Sequence, residues 1–218
     1  MHHELRRYPD PTSTAAAAAA FILERAREAV EQRGHFHFAV SGGSTPWAMF
    51  AALSQLDVPW SATTIYQVDD RAAPLDSDDR NLMHLRESLR NVEVTVVPMP
   101  VEGDLDEGAR AYEVLLPDAF DVAHLGLGAD GHTASLLPGD PVLEVEDRLV
   151  SSTGVYQGWR RMTLTYPGLA RARWLLWLIV GANQYGPLRQ LLDADPSIPA
   201  SHVVAPRSTI FADEAAAP

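Results

Sequence analysis

Short apolar runs alternate with helix-like segments along most of this 218-residue chain. Runs that have the character of strands occupy residues 36–41, 63–68, 92–97, 120–127 and 174–180. The last of them, WLLWLIV, is apolar throughout, which is typical of a strand that is covered on both faces. This alternation predicts parallel strands with helices on both sides of one sheet, and therefore an α/β fold.

The longest helix-like segment covers residues 12–33 and contains an uninterrupted run of alanines. Alanine has the highest helix propensity, and residues 12–14 offer threonine and serine side chains as N-cap candidates. The length fits one domain over residues 1–218. We expect residues 1–10 and 212–218 to be frayed.

The chain has a formal net charge of −12, and its 17 basic residues are all arginine. The absence of lysine excludes Schiff-base chemistry and a Walker A phosphate loop. The absence of cysteine excludes disulfides, thiolate catalysis and cysteine-based zinc sites. A strongly acidic chain is a poor partner for nucleic acid. An anionic ligand must therefore be bound by arginine, backbone amides and hydroxyl groups.

No apolar run approaches the roughly 18 to 20 residues that span a bilayer. The first residues also lack the apolar core of a secretory signal. We expect a cytoplasmic protein without membrane contact, present as a monomer or small homo-oligomer.

The first strand-to-helix junction consists of small and hydroxylated residues, namely Ser41, Gly42, Gly43, Ser44 and Thr45. Thr45 is a natural N-cap, and the proline that follows it is a natural first helical residue. Exposed amides at a helix N-terminus form an anion site. The alternative is a glycine-rich turn before a well-capped helix.

The second candidate segment, VDDRAAP, places Asp69, Asp70 and Arg71 at the end of a strand. If that strand is parallel to the first, these side chains share one sheet edge with the serine-glycine loop. A solvated charged loop is the alternative. A metal site is disfavoured, because adjacent acids on a strand point apart and an arginine lies beside them.

The third segment, LGLGADGHTASLLP, places Asp130 and His132 after a buried strand. Its glycines permit a tight turn, and the carboxyl ends of parallel strands are where ligands bind. Arg160 and Arg161 follow in a strand-like segment, where one of the two must point into the protein. A phosphate would be a suitable partner for that arginine, and a surface acid is the alternative.

Together these segments resemble the 6-phosphogluconolactonase family, whose pattern is related to that of glucosamine-6-phosphate deaminase. The string GADGHTASLLP is the most specific part, and SGGSTP, VDDRAAP, RMTLT and IPASHV match in the same order. The resemblance implies a three-layer α/β/α fold with a Rossmann-like, mostly parallel sheet. It also implies hydrolysis of 6-phospho-D-glucono-1,5-lactone, the second step of the oxidative pentose phosphate pathway, without metal or cofactor.

Carried over to this sequence, the resemblance implies that His132 is the catalytic base and that Asp130 orients it. Arg71 would bind substrate or stabilise developing charge. The residues implied in substrate and phosphate binding are Ser41, Gly42, Gly43, Ser44, Thr45, Asp69, Arg161 and Gln184.

The sequence departs from the family at two positions. Gln184 replaces a lysine that family members commonly carry, which predicts weaker phosphate binding, and Asp70 replaces the usual glutamate.

Two other functions stay open. A deaminase would need an acid where residues 136–138 are Leu-Leu-Pro. A non-catalytic sugar-phosphate sensor would need the phosphate loop but not the Asp130–His132 pair.

Overall fold

A parallel sheet of seven strands forms the centre of the computed structural model, which describes residues 1–218 apart from the side chain of Ser44. In chain order the strands are β1 (Glu4–Tyr8), β2 (Phe36–Val40), β3 (Thr63–Gln67), β4 (Asp69–Arg71), β5 (Thr95–Val97), β6 (Val122–Leu125), β7 (Val150–Tyr156), β8 (Trp159–Leu164), β9 (Trp174–Ile179) and β10 (Arg207–Asp213). The large sheet has the order β1-β10-β9-β6-β2-β3-β5, and β4, β8 and β7 form a separate antiparallel sheet.

Helices cover both faces of the large sheet. They are α1 (Pro11–Arg33), α2 (Ser44–Leu53), α3 (Asn81–Ser88), α4 (Leu105–Leu115), α5 (Tyr166–Leu169) and α6 (Tyr185–Leu192), with 3₁₀ turns at Trp60–Ala62, Pro141–Glu144, Ala182–Gln184 and Pro199–His202. One core joins the sheet to α1, α2 and α3, and the other joins it to α4, α5, α6 and the small sheet. None of the helices in the described part of the chain is long and apolar enough to cross a membrane.

The central strands lie where the apolar runs predict them. In β2, Phe38 and Val40 point into one core and Ala39 into the other, as the two-residue period of a strand requires. Both faces are covered, so these strands are apolar without interruption. β5 and β6 are shorter than predicted, covering 95–97 and 122–125. The predicted three-layer α/β/α class is confirmed.

Both ends of the chain were expected to be frayed over residues 1–10 and 212–218, and this prediction is wrong. β1 pairs in parallel with β10, from Glu4 opposite Thr209 to Tyr8 opposite Asp213. The amide of Glu214 then donates to the Tyr8 carbonyl at 2.8 Å. Main-chain hydrogen bonds at the sheet edge hold ELRRY in place although its side chains carry no apolar pattern.

The first helix begins before its predicted N-cap at residues 12–14. Asp10 is the N-cap, and it exchanges hydrogen bonds with Ser13 in a capping box. Pro11 occupies the first helical position, where its missing N–H costs nothing, so the cap lies one residue before it. Likewise α2 begins at Ser44 with Gly43 as its N-cap, which places the predicted cap, Thr45, inside the helix.

His124 lies at the centre of the large sheet in β6 and is fully buried. Its ring contacts Phe50 edge to face, with 6.2 Å between the ring centroids. Neither ring nitrogen has a hydrogen-bond partner among the described residues. Burial lowers the pKa of His124 to about 3, because the charged imidazolium would lose its hydration. The imidazole is therefore neutral in the folded protein.

His124 should make the protein sensitive to mild acid. The pKa of His124 is about 3 in the folded protein and 6.5 in the unfolded chain. The neutral ring therefore contributes fully to the free energy of unfolding above pH 6.5, and this contribution is lost as the pH falls towards 3. At pH 5 this amounts to about 2 kcal/mol. Urea unfolding at pH 7 and pH 5 should show this loss in the wild type but not in His124→Leu. Exposed His202 gives the control His202→Leu, whose change in stability with pH should match wild type. Equal pH slopes for wild type and His124→Leu would contradict the assignment.

Candidate active site

The predicted functional segments meet in a cleft of about 200 Å³. The cleft is lined by residues 41–43 after β2, Asp69 and Arg71 of β4, Asn81 of α3, residues 126–128 and 132–134 after β6, and Arg161 of β8. Since β2 and β6 are neighbouring parallel strands, their carboxyl ends open on the same edge of the sheet. The small antiparallel sheet supplies the remaining charged side chains.

Three predicted site residues lie outside this lining. Thr45 is within the first turn of α2, and Gln184 ends the 3₁₀ turn that follows β9. Asp130 flanks His132 and does not itself line the cleft. The side chain of Ser44, also predicted to bind phosphate, is outside the described part of the structure. The roles of all these residues stay predictions.

Asp130 and His132 form a hydrogen-bonded pair within one tight loop. Asp130 Oδ1 lies 2.5 Å from His132 Nδ1 and also accepts from the His132 backbone N–H at 3.2 Å. Burial alone would raise the pKa of Asp130, but the hydrogen bonds and charge of His132 outweigh it and lower that pKa below its usual value. An ionised Asp130 fixes the proton of His132 on Nδ1, which leaves Nε2 free to accept a proton.

Gly128 makes this pairing sterically possible. A Cβ atom at residue 128 would overlap Nδ1 and Cε1 of His132 and crowd Oδ1 of Asp130. The backbone closes the same loop, because the Gly128 amide donates to the His132 carbonyl at 2.8 Å. Gly128 therefore leaves room for the His132 ring, in addition to allowing the tight turn.

Arg71 and Arg161 face each other across the small sheet, where β4 and β8 pair them directly. Like charges in this position repel, so the arrangement is unfavourable unless an anion joins them. Arg71 donates to the backbone carbonyl of Asp79 at 2.7 Å, and Arg161 donates to Ser135 and Gln157. Neither guanidinium forms an ion pair with a carboxylate among the described residues. Two adjacent cations thus line the cleft of an acidic protein.

Arg161 is buried, and its Nε has no hydrogen-bond partner in the described structure. Burial is the main reason that the pKa of Arg161 is lowered. The nearby acid is Asp69, which accepts from Ser135 Oγ at 2.7 Å while that hydroxyl accepts from Arg161 Nη1 at 3.5 Å. Burial raises the pKa of Asp69 above its usual range. Since Ser41 Oγ is also buried and unpartnered in the described residues, the cleft offers donors that an oxyanion would satisfy.

Asp70 does not face the cleft but holds its walls together. It is fully buried and accepts hydrogen bonds from the backbone amides of Arg71 and Asn81, both at 2.8 Å. It also accepts from Gln67 Nε2 at 3.0 Å and from Arg80 Nε at 3.1 Å. Asp70 therefore connects β4 to the start of α3. These hydrogen bonds fix the backbone that carries Asp69 and Arg71.

Sequence reasoning did not assign roles to several residues that complete the site. They are Asn81, whose amide donates to the Asp69 carbonyl at 3.1 Å, and Ser135, Tyr156 and Gln157, which contact Arg161 or Asp130. Ser135 lies within the GADGHTASLLP string, so its position in that motif could have indicated that it belongs to the site. Tyr156 and Gln157 are far from the motif in sequence, and only the β7–β8 hairpin brings them to it.

Residues 9–212 match the family model described as glucosamine-6-phosphate isomerases/6-phosphogluconolactonase. The chain belongs to this family. Its description covers both activities, so family membership alone does not separate a lactonase from an isomerase. The family predicted from the sequence is confirmed.

Individual relatives favour the lactonase. A 6-phosphogluconolactonase from Synechocystis sp. is 32% identical over 89% of this chain and 88% of its own length. Another from Nostoc sp. is 33% identical over 84% of this chain and 82% of its own. The crystal structure of a 6-phosphogluconolactonase from Shewanella baltica matches with a TM-score of 0.88 at 26% identity, covering 97% of this chain and 98% of its own.

The buried carboxylate of Asp70 should be essential for stability. Asp70→Ala leaves the Arg80 guanidinium and several amides unpaired, and we expect a loss of about 3 to 5 kcal/mol in the free energy of unfolding. Glu102 provides a matched control, because it binds the same arginine but its side chain is 56% exposed. Glu102→Ala should cost at most about 1 kcal/mol. Urea unfolding of both variants measures the difference, and equal losses would show that the buried network is not what matters.

Proposed function

We propose that this chain hydrolyses 6-phospho-D-glucono-1,5-lactone to 6-phosphogluconate, with His132 activating the attacking water. The observation that carries the proposal is one cleft lined both by the Asp130-paired His132 and by two arginines without a carboxylate partner among the described residues. A base for water and a cationic subsite for phosphate are the two features that this substrate needs. The lactonases at 32% and 33% identity support the same activity.

The chemistry begins at His132 Nε2. With the ring proton held on Nδ1 by Asp130, Nε2 takes a proton from water as the oxygen attacks C1 of the lactone. The C1–O5 ring bond then breaks, and the imidazolium returns its proton to the leaving O5, so that the ring opens to the free acid. General-base assistance of this kind contributes roughly 10²- to 10⁴-fold to the rate.

The cationic side of the cleft serves two anionic groups of the substrate. Arg161, together with the amides and hydroxyls of residues 41–45, binds the phosphate. Arg71 stabilises the oxyanion that forms on the carbonyl oxygen during attack. Asp69 holds Ser135 against Arg161, which orients the guanidinium before substrate arrives. Gln184, where the family commonly has lysine, lies outside the cleft lining, so arginine carries the charge that pairs with the phosphate.

The isomerising deaminase is the second candidate, and the residues after the histidine loop speak against it. That activity needs a further acid near the residues 136–138, where this chain has two leucines and a proline. Leu136 is fully buried and Leu137 is 5% exposed, and both belong to the apolar interior. A non-catalytic sensor would not need the Asp130–His132 pair that this site retains.

We further propose that the enzyme acts in the cytoplasm. A sugar phosphate carries charge that an apolar bilayer excludes, so the enzyme has to share a compartment with the reaction that makes its substrate. Fractionation of cells that express the tagged chain tests this, and recovery with membranes or in the medium would contradict it.

Replacing the base should remove most of the catalysis. We expect His132→Ala to lower kcat roughly 10²- to 10⁴-fold without a matching change in KM, because His132 acts on water. The assay generates the lactone in situ and follows its disappearance above the spontaneous rate. His35 precedes β2 at the opposite edge of the sheet, so His35→Ala is the control. Wild-type turnover by His132→Ala would remove the assigned base, and ammonia release from glucosamine 6-phosphate would favour the deaminase.

The phosphate subsite can be separated from the base by comparing two lactones. Arg161→Ala should raise KM for the phosphorylated lactone roughly 10- to 100-fold, since a charge-assisted contact is lost. KM for unphosphorylated glucono-1,5-lactone should change little. Arg160 is the adjacent residue but donates to Thr153 and Ser152 outside the cleft, so Arg160→Ala is the matched control. Equal effects of Arg161→Ala on both lactones would mean that Arg161 does not bind the phosphate.

A further inference from the structure

The tip of the β7–β8 hairpin reaches the catalytic pair through Tyr156. Its hydroxyl donates to Asp130 Oδ2 at 3.3 Å, on the carboxylate oxygen that His132 does not use. The tyrosine ring also meets the His132 ring edge to face, with 5.7 Å between centroids and 68° between planes. Tyr156 therefore contacts both members of the pair.

The same side chain contacts the cationic side of the cleft. The guanidinium carbon of Arg161 lies 4.9 Å from the centroid of the Tyr156 ring, which is the geometry of a cation–π contact. The neighbouring Gln157 accepts a hydrogen bond from Arg161 Nη2 at 3.2 Å. One hairpin tip thus holds the arginine and the acid that orients the base.

The backbone of the hairpin fixes this tip. Tyr156 pairs with Trp159 across a two-residue turn, in which Gln157 and Gly158 have φ values of 50° and 86°. The Trp159 indole N–H donates to Asp79 Oδ2 at 3.0 Å, on the loop whose backbone also holds Arg71. Tyr156 is consequently presented by a turn whose second strand is anchored to the Asp79 loop.

Asp130 needs such a partner because its side chain is 39% exposed. A carboxylate at this exposure can rotate towards water and release the imidazole. A hydrogen bond to Oδ2 restricts that rotation and keeps Oδ1 on Nδ1 of His132. Burial and the charge of Asp130 raise the pKa of the Tyr156 hydroxyl, so it stays protonated and donates.

We propose that Tyr156 is a positioning residue that links the phosphate subsite to the catalytic pair, its hydroxyl holding Asp130 and its ring holding Arg161. This inference rests on the lactonase function proposed above. The hydroxyl therefore acts on the turnover of either lactone, through Asp130. The ring acts on the binding of the phosphorylated lactone, through Arg161.

Two substitutions separate the hydroxyl from the ring. Tyr156→Phe keeps the ring, so kcat should fall roughly 5-fold on both the phosphorylated and the unphosphorylated lactone, with KM within about twofold of wild type. Tyr156→Ala loses both contacts, so it should show at least the same fall in kcat together with a roughly 5- to 10-fold rise in KM for the phosphorylated lactone only. Val155 is the adjacent residue and is 71% exposed, so Val155→Ala is the control and should match wild type.

The outcomes are distinct. Wild-type kcat in Tyr156→Phe would overturn the role of the hydroxyl, and an unchanged KM in Tyr156→Ala would overturn the link to Arg161. A KM increase of the same size for both lactones would indicate a general loss of structure and would also overturn the proposal. A wild-type enzyme without any lactone hydrolysis would instead refute the proposed function, before the variants are compared.

Discussion

The geometry of the active site depends on one buried carboxylate. Asp70 accepts hydrogen bonds from the start of α3 and from Arg71 of β4, and it pairs with Arg80 in the interior. A charge of this kind is tolerated only because every lone pair has a donor. The network sets the relative position of an edge strand and a helix that belong to different layers. Asp69 and Arg71 face the cleft because Asp70, between them, faces inward.

The cleft carries two positive side chains although the molecule as a whole is negatively charged. The chain carries −12 overall, yet Arg71 and Arg161 stand opposite each other on paired strands without an ion pair to a described carboxylate. Such an arrangement is electrostatically strained when empty and relaxed when an anion binds between the two guanidinium groups. Two guanidinium groups that line a cleft of about 200 Å³ favour a small anion over an extended polyanion.

The sequence predicts buried apolar strands and contiguous motifs. It does not predict the edge strand or contacts between residues that are far apart in the chain. The central strands were predictable because a covered parallel sheet requires apolar runs, and the histidine loop because its motif is contiguous. β1 was missed since the edge strand is held by main-chain hydrogen bonds and carries no apolar signal. Asp70 bonds to the start of α3 and Tyr156 contacts Asp130. These contacts join residues that are distant in sequence, so no local pattern predicts them. Gln184 was expected to bind phosphate because the family commonly carries lysine at its position; it lies outside the cleft lining, and its role stays a prediction.

Gly128 determines how the His132 ring is held, because it leaves the space that the ring occupies. The volume that a methyl group would fill at this position is occupied by the imidazole of His132. The ring is confined by backbone on one side and by its acid on the other, so its orientational entropy is lost when the chain folds and not when substrate binds. The orientation of the His132 ring is therefore set when the chain folds, and residue 128 contributes to it by having no side chain.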